Sequence, residues 1–406
     1  MVRFGKTWLF LFVCVGCGSR PLPDSLAKQS IQTPRLNPVA SPASQDPKTV
    51  APPQPRIEAK AVIVAGTLDK PKVPLPHEAL VTLAGAQRIL FATASPAANE
   101  IFALAQMSND TYGGAFFVVR LDGGTIQAEK VMDGTNLSNF ESPRWSPDGG
   151  TAYFVFDSGN IDPENTSGHG LFSWDRTTGK VSQILGDSIG GLAISDDGTL
   201  AGFWDYSLGD KLTVYNLKSK RVVRAWGGQT HTADDLVLSD MVFTPDGKSL
   251  LARLFVPKED PVMRYEIASG TIAPFAGNVQ SMAAAGGALY FLQFSPVPFT
   301  NPEHPHRLSK WVEGAAEPST VLEDFPYMDL GGSHGSPWLL AGSAVGYAGG
   351  AAIYDTRTGQ MQTAGRSCDY AIVTASGKIL YIFGNEFVSD ATVCAGPPPA
   401  RHASAE

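Results

Sequence analysis

Ser146-Pro147-Asp148-Gly149-Gly150 runs directly into Thr151-Ala152-Tyr153-Phe154-Val155-Phe156, a polar turn phrase followed by an apolar run. Asp-Gly supplies the positive φ that a tight hairpin turn needs, and the apolar run supplies the strand that follows. The phrase returns as Ser195-Asp196-Asp197-Gly198-Thr199 before Leu200–Trp204 and as Thr244-Pro245-Asp246-Gly247-Lys248 before Leu250–Leu254. Degraded copies, Ala285-Gly286-Gly287 and Ala375-Ser376-Gly377-Lys378, precede Ala288–Phe294 and Ile379–Phe383. A hairpin that recurs every 40–50 residues predicts stacked four-stranded units arranged as a β-propeller.

The glycines of the phrase act as a ruler. Gly149, Gly198 and Gly247 are 49 residues apart, Gly287 follows after 40, and Gly377 after a further 90. The last gap suits two units, with the intervening turn at Gly335 ahead of Trp338-Leu339-Leu340. Counting back from Gly149 places a first turn at Asn99, before Ile101-Phe102-Ala103-Leu104. Turns at 99, 149, 198, 247, 287, 335 and 377 predict an all-β, seven-bladed propeller, with six or eight blades as the alternatives.

A third strand follows most turns, often ending in an acidic residue and a Gly turn: Phe117–Asp122, Leu171–Asp175, Leu212–Asn216, Met263–Glu266 and Ala352–Asp355. These strands are apolar on consecutive residues, as expected of sheets covered on both faces. Too few residues follow Gly377 to complete its blade. Strand-like sequence at Ala61–Ala65 and Ala79–Leu83 precedes the first phrase, so an N-terminal strand is expected to close the ring and remove an exposed sheet edge. The propeller is assigned to residues 57–396 and the polar tail to 397–406.

Ser-Pro-Asp-Gly before an apolar strand, then a strand ending in Tyr/Trp-x-Asp and a Gly turn, resembles the TolB-type, WD40-like propeller repeat of bacterial envelope proteins. The resemblance covers roughly residues 85–395 and is clearest over 141–277. It implies the fold and an envelope setting.

The N-terminus points to the same compartment. Arg3 and Lys6 precede the short apolar run Trp8–Val15, which ends in Cys14-Val15-Gly16-Cys17-Gly18-Ser19. A charged segment and a brief apolar segment form an export signal, too short to span a bilayer as a finished helix. A small residue before Cys17 resembles the lipobox of bacterial lipoproteins, which implies a signal peptide at 1–16 and an acylated Cys17; the alternative is an ordinary cleaved signal peptide. Gly18, where an Asp would signal inner-membrane retention, implies the outer membrane. Residues 17–56 are rich in Pro, Ser, Gln and Ala, with nine prolines between 21 and 55. Such a stretch buries too little apolar surface to fold and is expected to form a disordered tether, up to ~100 Å long at roughly 3.1 Å per residue of polyproline II.

Only Cys368 and Cys394 remain after the leader. One pair in an exported domain reads as a disulfide, with two buried thiols as the alternative. The net charge of −8 without a basic stripe argues against a nucleic-acid partner.

Candidate chemistry is sparse. Gly331-Gly332-Ser333-His334-Gly335 matches the G-x-S-x-G nucleophile motif, but Ser333 falls at a predicted turn without a following helix. His304 and His306, with Glu303, offer metal-ligand types in a Pro-rich loop, which reads equally as plain exposed loop. His231 with Asp234 and Asp235 is a second weak cluster. Asp157, Asn160, Asp162, Glu164 and Asn165 offer oxygen ligands for Ca²⁺ without EF-hand spacing. Asp148, Asp197 and Asp246 recur at one blade position and read as turn-formers. Trp145, Trp204, Trp226, Trp311 and Trp338 are expected to fill gaps between blades, and the long loops 105–115, 157–169, 229–240 and 295–307 are the binding candidates.

The sequence is therefore read as a lipid-anchored envelope protein whose propeller binds another envelope protein or cell-wall component, without catalysis and without a cofactor. The alternative is a propeller that binds or turns over a sugar, peptide or ester in its central channel.

Overall fold

The computed structural model describes residues 81–389 except 110–112, 123–124, 137–142, 159–167, 187–188, 207–210, 228–236, 255–260, 295–305, 326, 328, 333–334, 343–349, 364–367 and 369. The described residues form seven four-stranded antiparallel sheets. Blade one is β2–β5 (Arg88–Ala94, Glu100–Gln106, Gly114–Asp122, Thr125–Thr135), and blade two is β6–β9 (Arg144–Trp145, Thr151–Asp157, His169–Asp175, Val181–Leu185). Blade three is β10–β13 (Ile189–Ile194, Leu200–Asp205, Lys211–Asn216, Arg221–Trp226), and blade four is β14–β17 (Val237–Phe243, Ser249–Leu254, Val262–Glu266, Ile272–Ala276). Blade five is β18–β21 (Val279–Ala285, Ala288–Phe294, His306–Trp311, Ser319–Phe325), and blade six is β22–β25 (Asp329–Gly331, Trp338–Gly342, Ala351–Asp355, Gln360–Thr363). Blade seven combines β26–β28 (Tyr370–Val373, Ile379–Phe383, Glu386–Val388) with β1 (Val81–Thr82) as its outermost strand. The chain is a seven-bladed β-propeller, and each of the seven expected turns joins the first and second strands of a blade.

The turn phrase works through a hydroxyl as much as through Asp-Gly. In blade two, Ser146 Oγ donates to Asp148 Oδ1 at 2.5 Å and accepts the Thr151 N–H at 2.9 Å, while Asp148 Oδ1 accepts the Gly150 N–H at 2.9 Å. Ser195 with Asp197 and Thr244 with Asp246 repeat this arrangement. Thr374 repeats it with Ser376 in place of the Asp. In blade one, Ser95 Oγ accepts the Ala98 N–H at 3.2 Å. These five hydroxyl residues are all buried. Gly149, Gly198, Gly247 and Gly377 have φ between 66° and 79°, as the turn requires. Blade five uses a two-residue loop with positive φ at both Gly286 and Gly287, the type I′ pattern.

Seven apolar clusters occupy the seven interfaces between neighbouring blades. Blades one and two share Phe102, Phe116, Phe154, Phe172, Trp145 and Trp174, with Phe116 and Phe154 ring centroids 4.5 Å apart. The same interface holds the buried Glu100, whose Oε2 accepts Arg176 Nε at 2.8 Å, so a blade-two cation reaches into blade one. Trp204, Trp226 and Leu250 serve blades three and four, and Val279, Phe291 and Trp311 serve four and five. Trp338 is partly buried and lies under the Arg357 guanidinium, 4.9 Å from the ring. The expected role of the tryptophans between blades is thus met.

Closure is N-terminal, as expected. Val81 pairs with Phe387 and Thr82 with Glu386. The Leu83 N–H donates to the Asn385 carbonyl at 3.0 Å, and Asn385 Nδ2 donates to the Ala86 carbonyl at 2.9 Å. Leu83 is wholly buried among Phe387, Ile372 and Leu380 of blade seven and Ile89 and Ile101 of blade one. The other candidate, 61–65, and the boundaries at 57 and 396 lie outside the described residues.

Candidate functional site

The innermost strands β2, β6, β10, β14, β18, β22 and β26 run side by side around the central channel. Each runs from the blade-to-blade connection to the tight turn. The connections from second to third strands and from blade to blade therefore emerge at one end of the channel, and the tight turns lie at the other. The described strand ends that flank the four candidate binding loops fall at the first end. The tight turns pack on one another: Ser376 N–H donates to Asn99 Oδ1 at 3.1 Å, and Gly286 N–H to the Ser336 carbonyl at 2.7 Å.

One level of this wall is polar. Asp240, Tyr370, Phe91 and Gly191 each stand four residues before a turn hydroxyl, Thr244, Thr374, Ser95 and Ser195. Ser281 stands four before Ala285 at the blade-five turn, and Asp329 four before Ser333. Four inner strands change register here, between Ile89 and Phe91, Gly190 and Ala193, Val237 and Met241, and Val279 and Ser281. A bulge breaks the strict inward–outward alternation and re-aims a side chain. On blades one, four and five it brings Phe91, Asp240 and Ser281 to a common height, nearer the end with the long connections, where Asp329 and Tyr370 also stand.

The residues at this height touch in series. Ser281 Oγ donates to Asp329 Oδ1 at 2.9 Å and accepts the Leu330 N–H at 3.2 Å. Tyr370 Oη donates to Asp329 Oδ2 at 3.1 Å, and the Tyr370 ring lies 6.5 Å from that of Phe91. On the other side, Asp240 Oδ2 faces Arg253 Nε at 3.4 Å, and Arg253 Nη1 donates to the Val279 carbonyl at 3.5 Å. Arg144 Nε donates to the Leu192 carbonyl at 3.2 Å. All seven blades contribute a group.

Asp240 carries the electrostatic signature of the belt. Burial pushes its carboxyl well above the usual carboxylate range, against the pull of Arg253; Asp329 adds to the rise, while Arg144 and a Ser281 hydrogen bond oppose it. Asp329 on blade six and Arg144 on blade two thus act on a side chain of blade four. Asp240, Asp329, Tyr370, Phe91 and Arg144 nonetheless keep partial exposure on the innermost strands.

The belt was not anticipated, because its members on neighbouring blades lie on separate strands 41–53 residues apart. The repeat itself held the signal: aligning each blade on its turn hydroxyl brings 91, 191, 240, 281, 329 and 370 into one column. Asp240 had been placed in a loop, yet it belongs to β14.

The other candidates are distributed. His306 corrects its expectation: it opens β20 and is buried at 2% exposure, so it is neither exposed loop nor open to a metal from solvent. Burial drops its pKa to about 4. His304, Ser333, His231, Asp234 and Asp235 lie outside the described residues. Asp157 ends β7, where its Oδ2 accepts Asn136 Nδ2 at 3.1 Å; its four acidic and amide companions lie outside the described residues. Among the described residues no group of three His, Cys, Asp or Glu side chains is placed to hold a metal ion. Asp148, Asp197 and Asp246 are turn-formers, as expected. For Asp148 the Ser146 hydroxyl and then the Gly150 N–H hold the carboxyl below its usual range. Cys368 is buried in the blade six–seven cluster and is disulfide-bonded, while Cys394 and Cys17 lie outside the described residues.

No protein-family model matches the sequence, and a search of curated proteins gives no relative. Among solved structures, TolB from Acinetobacter baumannii is 15% identical, with a TM-score of 0.45 over 68% of this chain. The match spans 63% of that TolB chain. A chain of a mitotic checkpoint complex is 13% identical, with a TM-score of 0.49 over 80% of this chain and 99% of its own.

Proposed function

We propose that this chain is a non-catalytic binding protein of the bacterial cell envelope, lipid-anchored through Cys17, probing another envelope protein or cell-wall component with the long-connection end of its propeller. The carrying observation is the asymmetry of the two ends. At one end tight turns of neighbouring blades pack on each other, while at the other the strands that flank the long connections end beside a belt of polar side chains from blades two, four, five, six and seven. Loops on a rigid scaffold carry recognition, and convergent polar groups at a channel mouth give it specificity. The leader sequence supports the compartment.

The belt also supports a second reading, a small polar ligand or substrate in the channel. One experiment separates them. Full-length protein is cross-linked in envelope preparations and its captured partner identified. The purified protein is then assayed on ester, peptide and glycoside panels beside Ser333→Ala. A specific partner lost on substitution at the long-connection end supports the binding reading. Hydrolysis abolished by Ser333→Ala overturns it.

A further inference from the structure

We propose that the channel mouth receives an alkylammonium group, a lysine side chain of the bound partner, with Asp329 as its anion and Phe91 and Tyr370 as its wall. This rests on the reading of the long-connection end as the binding face.

The two carboxylates of the belt differ in how they are balanced. Asp240 faces Arg253. Asp329 receives only neutral donors among the described residues: the Ser281 hydroxyl and the Leu330 N–H on Oδ1, and the Tyr370 hydroxyl on Oδ2. A carboxylate oxygen accepts two hydrogen bonds, so Oδ2 has room for one more. The donors fix the orientation of Asp329 without neutralising its charge. A low-dielectric wall makes that charge cation-seeking, since Coulomb attraction strengthens as water is excluded.

The neighbours select the kind of cation. The belt is polarised: its guanidinium groups belong to blades two and four, whereas blades six, seven and one offer Asp329, Tyr370 and Phe91. Aromatic faces attract ammonium ions, and beside a carboxylate they favour an organic cation over a hydrated metal ion. One remaining acceptor position on Asp329 Oδ2 suits a single terminal donor on a thin unbranched stem. A lysine side chain has that form, whereas a guanidinium would need the planar bidentate partner that Asp329, already holding three donors, cannot offer.

The test is calorimetric titration of the full chain with Nα-acetyl-lysine methylamide, beside the same probe acetylated on Nε. Binding of the charged probe, weakened about tenfold or more by Nε-acetylation and by rising salt, is the expected result. Asp329→Asn removes the charge while keeping the Ser281 and Tyr370 contacts possible, and should weaken the charged probe about tenfold. Phe91→Leu should weaken it severalfold. Equal binding of both probes, or no binding at millimolar concentration, overturns the proposal, and neither result depends on a variant's folding. Partner capture that persists while the lysine probe fails leaves the binding reading standing and removes only this site.

Discussion

Replacing Thr244 by Val isolates the hydroxyl that the turn phrase shares across blades. The side chain is fully buried, and Val matches its shape, so packing is nearly preserved. Two interactions go: the 2.8 Å bond to Asp246 Oδ1 and the 3.1 Å bond from the Ser249 N–H. A hydrogen bond to a charged acceptor contributes about 1.5–3 kcal/mol, and a buried N–H left unsatisfied costs about 1–3 kcal/mol. Because the two are coupled, the expected loss is about 2–4 kcal/mol rather than their sum. Thr374→Val is the matched control, since Thr374 bonds the neutral Ser376 hydroxyl and the Lys378 N–H; it should cost about 1–2 kcal/mol. The gap between the variants should be pH-dependent. Burial raises the Asp246 carboxyl, but hydrogen bonds from Lys248 and Thr244 outweigh it and leave the pKa below its usual value. A lowered carboxylate contributes stability above its unfolded pKa and loses it as pH falls through the folded one. The variants should therefore converge as pH drops below about 4. Urea unfolding followed by tryptophan fluorescence reads the overall loss, and amide exchange at Ser249 reads the local one. If both variants lose the same amount at pH 7 and Ser249 exchange is unchanged, the charge-assisted turn is not what holds these blades.

Leu83→Ala, at the wholly buried residue after the closing strand, should cost about 2–5 kcal/mol and expose the blade-seven edge, read as earlier unfolding and faster exchange in β26–β28. His306 is held neutral by burial with its pKa lowered to about 4, so its contribution is complete above the ordinary histidine value and is lost as pH falls toward 4. His306→Gln should flatten the fall in Tm between pH 6.5 and 4 relative to the unaltered chain. We expect the bond of Cys368 to run to Cys394, giving one linked peptide pair in unreduced, exported protein by mass spectrometry; a Cys394 freely alkylated without reduction would refute that pairing.

The fold was legible because a propeller repeats its grammar. Gly149, Gly198, Gly247 and Gly377 mark turns where positive φ is required, and even the weak marks at Asn99 and Gly335 fall in the expected hairpins. The third strand of blade five was hidden because His306-Arg307-Leu308-Ser309-Lys310-Trp311 follows a Pro-rich stretch and holds only two apolar residues, Leu308 and Trp311. The turn hydroxyl was overlooked because Asp-Gly dominates the eye, although the buried serines and threonines recur more widely than the Asp. The belt was hardest to find, since each blade gives only one or two groups and bulges in four inner strands break simple alternation. Asp329 and Ser281 are local neighbours of nothing in the sequence; only closure of the ring brings them together.

The place of the closing strand gives the molecule a mechanical direction. A pull on the N-terminal segment reaches the ring through this strand, where Val81 and Thr82 pair with Phe387 and Glu386 at the outer rim. Such a load peels bonds in sequence instead of shearing them together. The Leu83 side chain, seated between the last blade and the first, is then the bolt that must be drawn before the ring can open.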